Sequence, residues 1–430
     1  MFVNLQGKKV AIYTLGCKVN QYESDCIIDR LSSIGCIAVG FDDIADIYII
    51  NTCAVTNIAE RKSRQIIHRA KKRNPQAVIV AMGCYVQAAK EKVEEDLSVD
   101  IVVGNNRKKD IARILDEYYG KNDIGDNFID INSTNEYESM DLIKPREHCR
   151  AYVKVQDGCN NFCSYCIIPY TRGRIRSRAL SDVLHEVRTL SQNGIKEVVI
   201  TGINLSCYRD EDGNELLDLL QAVSTIEGIY RVRMGSLEPG IITESFMEGI
   251  YKNSKICPHF HLSLQSACND TLKRMNRHYT IEEFEDKCRL IRSYYDRPAL
   301  TTDIIVGFPG ETEAEFEITR QNLERINLYE MHIFKYSVRN GTLAAKMPDQ
   351  VPDSIKEQRS NILLEMAARH KEEYEASFKG ETVPVLVEEY EYKGDRYLFN
   401  GHTDRYILVS REAGEQECRR SVNEIINVKI

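Results

Sequence analysis

The segment 151–166, AYVKVQDGCNNFCSYC, decides the fold of the central part of the chain. Its first half is an apolar run typical of a buried strand. Its second half places Cys159, Cys163 and Cys166 in a C-x3-C-x2-C pattern on the loop that follows. Three thiolates on one short loop reach three corners of a four-iron cluster, because such clusters are held by cysteine sulfur. The spacing therefore predicts a metal site just after a strand.

This pattern leaves the fourth iron of the cluster without a cysteine. An open iron can chelate the amino and carboxylate groups of S-adenosylmethionine, and an electron then cleaves its sulfonium to a 5′-deoxyadenosyl radical. A zinc site and a chance spacing are the alternatives. Structural zinc usually takes four ligands in two close pairs, and no second pair lies nearby.

Strand-like and helix-like stretches alternate from about residue 150 to 340. The strand candidates are AYVKVQDG, EVVITGIN, YRVRMGSLE, HFHLSLQS, LTTDIIVGFPG and YEMHIFKYS. These six units are fewer than the eight of a closed barrel, so we expect an open, partial (βα)6 TIM-like barrel.

The first 120 residues show the same alternation, which predicts a parallel α/β domain. Cys17, Cys53 and Cys84 each follow a strand candidate directly, in YTLGCKVN, IINTCAVT and VAMGCYVQ. Loops at the carboxyl ends of parallel strands meet at one edge of the sheet, so the three thiols would converge and hold a second cluster. The alternative is three ordinary buried cysteines.

The rest of the chain completes an α/β protein of three domains. We place the N-terminal auxiliary-cluster domain at 1–120, a linker at 121–148 and the barrel with its following helix at 149–370. Residues 371–430 alternate with period two and predict a small antiparallel β-barrel.

The formal net charge of −8 would ordinarily count against a nucleic-acid partner, because phosphate binding is largely electrostatic. Basic runs at 61–73 and 172–178 nevertheless allow a locally positive face. No apolar run is long enough to span a membrane and the N-terminus has no secretory pattern, so we expect a cytoplasmic protein without a membrane partner.

The segments TLGCKVNQYES, INTCAVT, MGCYVQ and the central triplet with IIPYTRGRIRSR, together with the tail, resemble the radical-SAM methylthiotransferases over essentially the whole chain. The resemblance implies that Cys17, Cys53 and Cys84 hold an auxiliary 4Fe-4S cluster whose open iron carries the sulfur to be transferred. It also implies that the tail is a TRAM domain, which binds RNA. The expected reaction adds a methylthio group to C2 of an adenosine in tRNA.

The stretch GCKVNQYES is similar to the branch that acts on N6-threonylcarbamoyladenosine at position 37 of tRNA. The alternatives are the same chemistry on N6-isopentenyladenosine, where Gln-Met-Asn typically follows the first cysteine, or on a ribosomal-protein aspartate, where Pro-Lys-Asn does. A different class, a non-catalytic iron–sulfur protein that binds RNA or carries electrons, would cleave no S-adenosylmethionine.

The resemblance implies two 4Fe-4S clusters and S-adenosylmethionine, used both as methyl donor and as radical source. The implied partners are the tRNA anticodon stem-loop, an electron donor such as flavodoxin or ferredoxin, and a sulfur donor. We expect no catalytic residue beyond the cluster ligands, because the C2 hydrogen of adenine is too unreactive for acid–base chemistry.

Four residues are the candidates for binding S-adenosylmethionine. The resemblance implies Gly202 and Asn204, which occupy the place of the family's glycine-rich methionine-binding segment, and Glu238 and Gln265 are polar residues at strand ends. A turn glycine with its capping Asn, and satisfied polar groups in the barrel mouth, are the alternatives. The candidates for binding RNA are Arg172, Arg174, Arg176, Arg178, Tyr397 and Arg405. For the arginine row the alternative is a solvated charged strand, and for the tail aromatics it is the core of the module.

Overall fold

The computed structural model describes residues 2–145 and 149–430. Its N-terminal part is built on a parallel sheet of strand order β2-β1-β3-β4-β5. Helices cover both faces, so β3 and β4 are buried along their whole length. The strands are β1 (Lys9–Thr14), β2 (Ile37–Ala38), β3 (Ile47–Thr52), β4 (Val78–Gly83) and β5 (Ile101–Val103). The helices are α1 (Lys18–Ser33), α2 (Asn57–Arg73), α3 (Cys84–Ala88), α4 (Lys90–Glu94) and α5 (Ile111–Tyr119).

Residues 121–145 contain no regular helix or strand, but they are held against the neighbouring elements. The Tyr137 hydroxyl donates to the Lys154 carbonyl at 2.7 Å, and the Leu142 N–H donates to Glu186 at 3.2 Å. Residues 146–148, the end of the predicted linker, lie outside the described residues.

The central part is the partial barrel that the sequence predicts. Its two sheets, β7-β6-β8-β9 and β10-β11-β12-β13, continue into each other because only Gly235 separates β9 from β10. The strands are β6 (Arg150–Asp157), β7 (Arg176–Ser177), β8 (Glu197–Gly202), β9 (Arg231–Met234), β10 (Ser236–Leu237), β11 (His259–Leu262), β12 (Ala299–Val306) and β13 (Glu330–Lys335). The helices are α6 (Ile168–Thr171), α7 (Leu180–Gln192), α8 (Leu216–Ser224), α9 (Glu244–Tyr251), α10 (Asn269–Arg274), α11 (Ile281–Tyr294), α12 (Glu313–Ile326) and α13 (Asp353–Ala376).

The two faces of the barrel strands differ in character. Side chains such as Val153, Val198 and Leu300 point outward and form the main core with the surrounding helices. Because successive side chains alternate, their neighbours point into the barrel. These inward residues are unusually polar: Lys154, Thr201, Arg233, His261, Thr301, Asp303 and His332. A barrel lined in this way is suited to a polar ligand.

The C-terminal part is an antiparallel sheet of order β16-β15-β14-β17 that curls into a half-barrel, as expected for a small antiparallel module. Its elements are β14 (Thr382–Lys393), β15 (Arg396–Thr403), β16 (Leu408–Ala413), α14 (Glu415–Ser421) and β17 (Ile425–Lys429). A small core of its own includes Val385, Phe399 and Val409. The preceding helix α13 runs past residue 370, where we placed the boundary, and the domain limits therefore stay predictions.

The half-barrel docks on the amino-terminal end of the partial barrel. Arg231 donates to the carbonyls of His402 and Pro384 at 2.9 and 2.8 Å, and Arg233 donates to that of Asp404 at 2.8 Å. The opposite end of the barrel, where its strands finish, therefore stays free of this module. Within the described part of the chain, no helix is both long and apolar enough to cross a membrane.

Candidate active site

The central cysteines lie on a tight loop directly after β6. Gly158 has a positive φ of 73°, and a Cβ at this position would lie 1.8 Å from the Arg174 carbonyl oxygen, so only glycine fits. The Cys159 N–H donates to the Gly173 carbonyl at 3.1 Å and fixes the start of the loop. Burial, with the neighbouring Cys163 thiol, raises the pKa of Cys166 to about 12. The Cys159 thiol adds to this effect, so all three thiols lie in the same region of the loop.

The N-terminal cysteines meet at one edge of the first sheet. Cys17 caps α1 after β1, Cys53 follows β3, and Cys84 begins α3 after β4. A Cβ on Gly16 would lie 2.9 Å from the Cys53 sulfur, which shows how closely these loops approach. Burial raises the pKa of Cys53 to about 12, and the thiols of Cys84 and Cys17 add to the effect.

Both sets of thiols fit a cluster held by three cysteines. All fourteen cysteines are free, and several of the six candidate thiols have an N–H donor close by. The donors are Asn161 N and Asn204 Nδ2 to Cys159 (3.5 and 3.8 Å), Arg277 Nη1 to Cys163 (3.3 Å), Val55 N to Cys53 (3.5 Å), and Arg172 Nε and Asn105 Nδ2 to Cys84 (3.3 and 3.9 Å). Hydrogen bonds of this kind stabilise thiolate sulfur and tune a cluster that it holds.

Arg172 joins the two cysteine loops. Its Nε is 3.3 Å from the Cys84 sulfur, its Nη2 is 2.6 Å from Asn20 Oδ1, and its Nη1 is 3.2 Å from Asp157 Oδ2. The Asp157 carboxylate in turn accepts the Gly158 N–H at 2.9 Å, at the entrance to the central loop. Arg172 is 1% exposed, so its contacts are made away from water.

A buried carboxylate balances the cations between the two domains. Glu23 on α1 pairs with Arg172, with Lys108 and, at 3.0 Å, with Lys154 on β6. Burial by itself would raise the pKa of Glu23, but the three cations together hold it well below its usual range. Glu23 is therefore ionised, and its charge ties the N-terminal domain to the barrel.

A cavity of about 270 Å³ lies between the loop after Cys53 and the central cysteine loop. One wall is the loop after Cys53, and another is the central loop at Tyr165 and Cys166. The floor comes from the barrel, and its residues include Gln265, Asp303, Ile305 and Phe334. A substrate in this cavity would touch both domains.

The residues expected to bind S-adenosylmethionine surround the central loop. The Asn204 N–H donates to Gln156 at 2.7 Å, while its side chain reaches the Cys159 sulfur. Glu238 pairs with Arg277 at 2.5 Å and accepts from Asn161 at 3.4 Å. Gly202 ends β8, and Gln265, with a positive φ of 71°, lines the cavity. Their role as ligands of S-adenosylmethionine stays a prediction.

The expectation that the arginine row grips phosphate is wrong for three of its members. Arg172 and Arg178 are each 1% exposed and Arg176 is 4% exposed. Each is buried among acceptors of the protein: Arg178 pairs with Glu186, and Arg176 donates to the Arg172 carbonyl at 2.6 Å. Three of the four alternating arginines that suggested a grip on phosphate are therefore buried in ion pairs of the protein.

The other residues expected to bind RNA differ from these. Arg174 is partly exposed and lies 4.5 Å from the centre of the Phe162 ring, and Tyr397 is partly exposed beside Tyr392. Arg405 instead donates to the carbonyls of Arg297 and Asp296 at 3.0 and 3.1 Å. Its side chain holds the half-barrel to the barrel, so an RNA contact by Arg405 is not supported.

Sequence reasoning missed several polar residues of the site. Asn20 and Glu23 follow Cys17 at helical spacing, and this spacing was a usable signal for a polar face turned toward the cysteines. Arg277, Asn105 and the charge of Asp157 carried no such signal. They come from elements far apart in sequence that only the fold brings together.

Comparisons with known proteins agree with this arrangement. The model described as Uncharacterized protein family UPF0004 matches residues 9–104, and that of the Radical SAM superfamily matches residues 153–323. The radical S-adenosylmethionine methyltransferase TsrM from Kitasatospora setae, solved with its substrate tryptophan and an analogue of S-adenosylmethionine, superposes with a TM-score of 0.57 at 14% identity, over 76% of this chain and 73% of that one. At this identity the likeness supports the fold alone.

Two curated relatives span nearly the whole chain. The threonylcarbamoyladenosine tRNA methylthiotransferase MtaB of Aquifex aeolicus is 40% identical over 97% of this chain and 100% of its own length. The tRNA-2-methylthio-N(6)-dimethylallyladenosine synthase of Acetivibrio thermocellus is 35% identical over 98% of this chain and 89% of its own length.

The partial barrel with its three-cysteine loop has the architecture of radical SAM enzymes, which use S-adenosylmethionine and a four-iron cluster. With the N-terminal match and the near full-length relatives, the chain belongs to the tRNA methylthiotransferase family of radical SAM enzymes.

Proposed function

We propose that this enzyme adds a methylthio group to C2 of N6-threonylcarbamoyladenosine at position 37 of tRNA, as the name of its Aquifex aeolicus relative indicates for that protein. The observation that carries the proposal is the shared cavity. It is lined on one side by the loop after Cys53 and on the other by the loop of Cys166. A nucleoside there is within reach of both sets of cysteines.

We propose that Cys159, Cys163 and Cys166 hold the cluster that binds S-adenosylmethionine, and that Cys17, Cys53 and Cys84 hold a second four-iron cluster. When bound, these groups supply the radical that removes hydrogen from C2 and the methylated sulfur that replaces it. The donors at Arg172, Arg277 and Asn105 stabilise the thiolate sulfurs, and no side chain acts as a general base.

The chain's own contribution is orientation and exclusion of water. Gly202, Asn204, Glu238 and Gln265 surround the central loop and are our candidates for S-adenosylmethionine contacts. Arg277 fixes the Glu238 carboxylate by an ion pair and a second bond to the Ser263 carbonyl at 2.9 Å. The apolar side chains of Ile305 and Phe334 line the cavity and would displace water beside the nucleoside.

The tRNA anticodon stem-loop would approach the rim of this cavity. Phe162 and Tyr170 are 37% and 48% exposed beside Arg174, and exposed aromatics with arginine suit unstacked bases. On α2 the cations Arg61, Lys62 and Arg64 are exposed, whereas Ser63, Ile66 and Ile67 face the core. The basic face of α2 is therefore available to phosphates, with Tyr397 of the half-barrel as a further candidate.

The reaction needs an electron for each cleavage and a sulfur atom for each product. We propose that flavodoxin or ferredoxin supplies the electron and that a separate sulfur donor restores the second cluster. Both steps would take place in the cytoplasm, together with other tRNA modification.

The test is iron analysis and product analysis of the anaerobic enzyme with tRNA that carries threonylcarbamoyladenosine. A variant with Cys17, Cys53 and Cys84 all replaced by Ala should lose roughly four irons, keep cleavage of S-adenosylmethionine and form no methylthio product. The matched variant of Cys159, Cys163 and Cys166 should lose both cleavage and product.

Equal iron in wild type and the N-terminal triple variant would overturn the second cluster. Mass spectrometry of nucleosides decides the substrate: a methylthio group on dimethylallyladenosine but not on threonylcarbamoyladenosine would overturn the assignment. A Cys26→Ala variant, whose buried thiol lies outside both sets, controls for loss of a cysteine as such.

A further inference from the structure

Two histidines and an aspartate come together on the inner face of the barrel. His261 on β11, Asp303 on β12 and His332 on β13 each offer one ligand atom, and these atoms all lie within 4.8 Å of one another. The three strands are neighbours in one sheet, and Asp303 pairs directly with His332 in the register of β12 and β13. Side chains held by adjacent strands are positioned more precisely than side chains on loops.

This group of side chains lies beside the shared cavity. Asp303 is itself part of the cavity lining. Phe334 also lines the cavity and lies two residues beyond His332 on β13, so His332 points to the same side of the sheet. His261 Nε2 is 3.4 Å from Asp303 Oδ2, and the rings of the two histidines are 5.8 Å apart. A small ligand in the cavity therefore has access to the group.

The rest of the protein makes little use of these ligand atoms. Within residues 2–145 and 149–430, the Asp303 carboxylate forms an ion pair with His261 alone, and the His332 ring forms no hydrogen bond. The side chains of His261 and Asp303 are only 13% and 31% exposed. A partly buried carboxylate that lacks a lysine or arginine partner is stabilised by a bound cation.

The spacing of the atoms suits ligands of one metal ion. Bonds of about 2.0–2.1 Å from zinc to nitrogen or oxygen place neighbouring ligand atoms about 3.0–3.4 Å apart. The separation of His261 Nε2 and Asp303 Oδ2, 3.4 Å, matches this value. His261 Nδ1 is 2.9 Å from Thr301 Oγ1, and such a partner on the second ring nitrogen is what orients a metal-binding histidine. Rotation of the exposed His332 side chain would bring in the third ligand.

We propose that His261, Asp303 and His332 bind a divalent first-row transition metal ion, of the class of Zn²⁺ or Fe²⁺. Two imidazoles with one carboxylate are a frequent ligand set for such ions, and three protein ligands leave coordination positions open. The open positions would face the shared cavity and take water or an oxygen atom of a bound substrate. This site uses none of the six candidate cluster cysteines, and its existence does not depend on the proposed function.

The test is equilibrium dialysis of the anaerobic enzyme, with its iron–sulfur clusters reconstituted, against Co²⁺ without RNA or S-adenosylmethionine. Co²⁺ is the probe because it accepts the same nitrogen and oxygen ligands as Zn²⁺, and elemental analysis distinguishes it from cluster iron. Bound cobalt and iron are measured together for wild type, Asp303→Asn, His332→Gln and Thr301→Val. His185→Gln, at an exposed position of α7, is the matched control.

Wild type and His185→Gln should each bind about one cobalt ion per chain, as expected for one three-ligand site. Thr301→Val keeps all three ligands and should weaken binding by about 10- to 100-fold, the usual effect of removing the partner of a metal-binding histidine. Asp303→Asn loses the charge and His332→Gln loses an imidazole, so both should bind cobalt more weakly still. Iron content should be the same in all of these proteins.

Absence of bound cobalt in wild type overturns the inference. So does cobalt that Asp303→Asn and His332→Gln both retain with the affinity of wild type. Cobalt bound with a matching loss of iron also overturns it, because the ion would then occupy the cysteines. The measurement contains no RNA, so it is separate from a failure of the proposed function, which is read from the nucleoside product.

Discussion

Arg172 is the residue whose guanidinium contacts both halves of the site. It touches the Cys84 sulfur and, through Asp157, the entrance to the central cysteine loop. The planar guanidinium serves several acceptors at once, which the single ammonium of lysine cannot do. We infer that this residue sets the separation of the two cysteine sets.

Arg172→Ala should destabilise the anaerobic protein by about 1.5–3 kcal/mol, because Glu23 and Asp157 lose one of their two shared cations and keep only Lys154. Arg172→Lys should recover part of this stability but still lack the bond to Cys84. The measurement is urea unfolding together with iron content. The exposed Arg113→Ala, on α5, is the control, and unchanged stability in Arg172→Ala would contradict the assigned role.

At the scale of elements, the half-barrel is joined to the barrel by arginines in addition to a small apolar cluster of Ala299, Tyr329, Phe378 and Ile407. Arg231 and Arg233 reach its carbonyls from β9, and Arg405 reaches carbonyls of residues 296 and 297 from its own side. Arg405 also lies over the Phe378 ring at 5.5 Å. These bonds fix where the half-barrel sits relative to the cavity.

Arg405→Ala should loosen this junction by about 1–3 kcal/mol, since two carbonyls lose a charged donor. Faster hydrogen exchange in β14 and β17 would report it. Affinity for tRNA should change by less than about threefold, because the side chain faces the barrel. A large loss of tRNA affinity with unchanged exchange would instead make Arg405 an RNA-binding residue, and Arg396→Ala, at the exposed start of β15, is the control.

At the scale of the whole molecule, the N-terminal domain covers the barrel mouth. Arg339, buried, donates to Asn57 at 2.6 Å and pairs with Glu60, both on α2. The Asn57 N–H donates to Ser337 at 3.1 Å. These contacts lie beside the shared cavity and hold its two walls together.

Arg339→Ala should open the cavity to water without removing a cluster ligand. Cleavage of S-adenosylmethionine should continue, but the ratio of 5′-deoxyadenosine to methylthio product should rise several-fold, because the radical is quenched before transfer. Product analysis by mass spectrometry measures this ratio. Arg289→Ala, at an exposed position of α11, is the control. An unchanged ratio in Arg339→Ala would show that the contacts of Arg339 do not seal the cavity.

Local spacing was enough to predict much of this protein. The C-x3-C-x2-C loop, its place after a strand and the six barrel units follow from short-range patterns that the fold preserves. Convergence of Cys17, Cys53 and Cys84 also followed, because parallel strands bring their carboxyl ends to one edge. The curling of the tail into a half-barrel depends on longer-range pairing.

The sequence by itself determined the strand-end positions of the cysteines and the class of chemistry that they serve. Only the tertiary structure decided which charges are buried: it turned Arg172, Arg176 and Arg178 inward and brought His261, Asp303 and His332 together. The physical reason is that the environment of a charge depends on neighbours distant in sequence, whereas strand and loop patterns are local. The sequence around an arginine does not indicate whether its side chain faces a phosphate or a buried carboxylate such as Glu23.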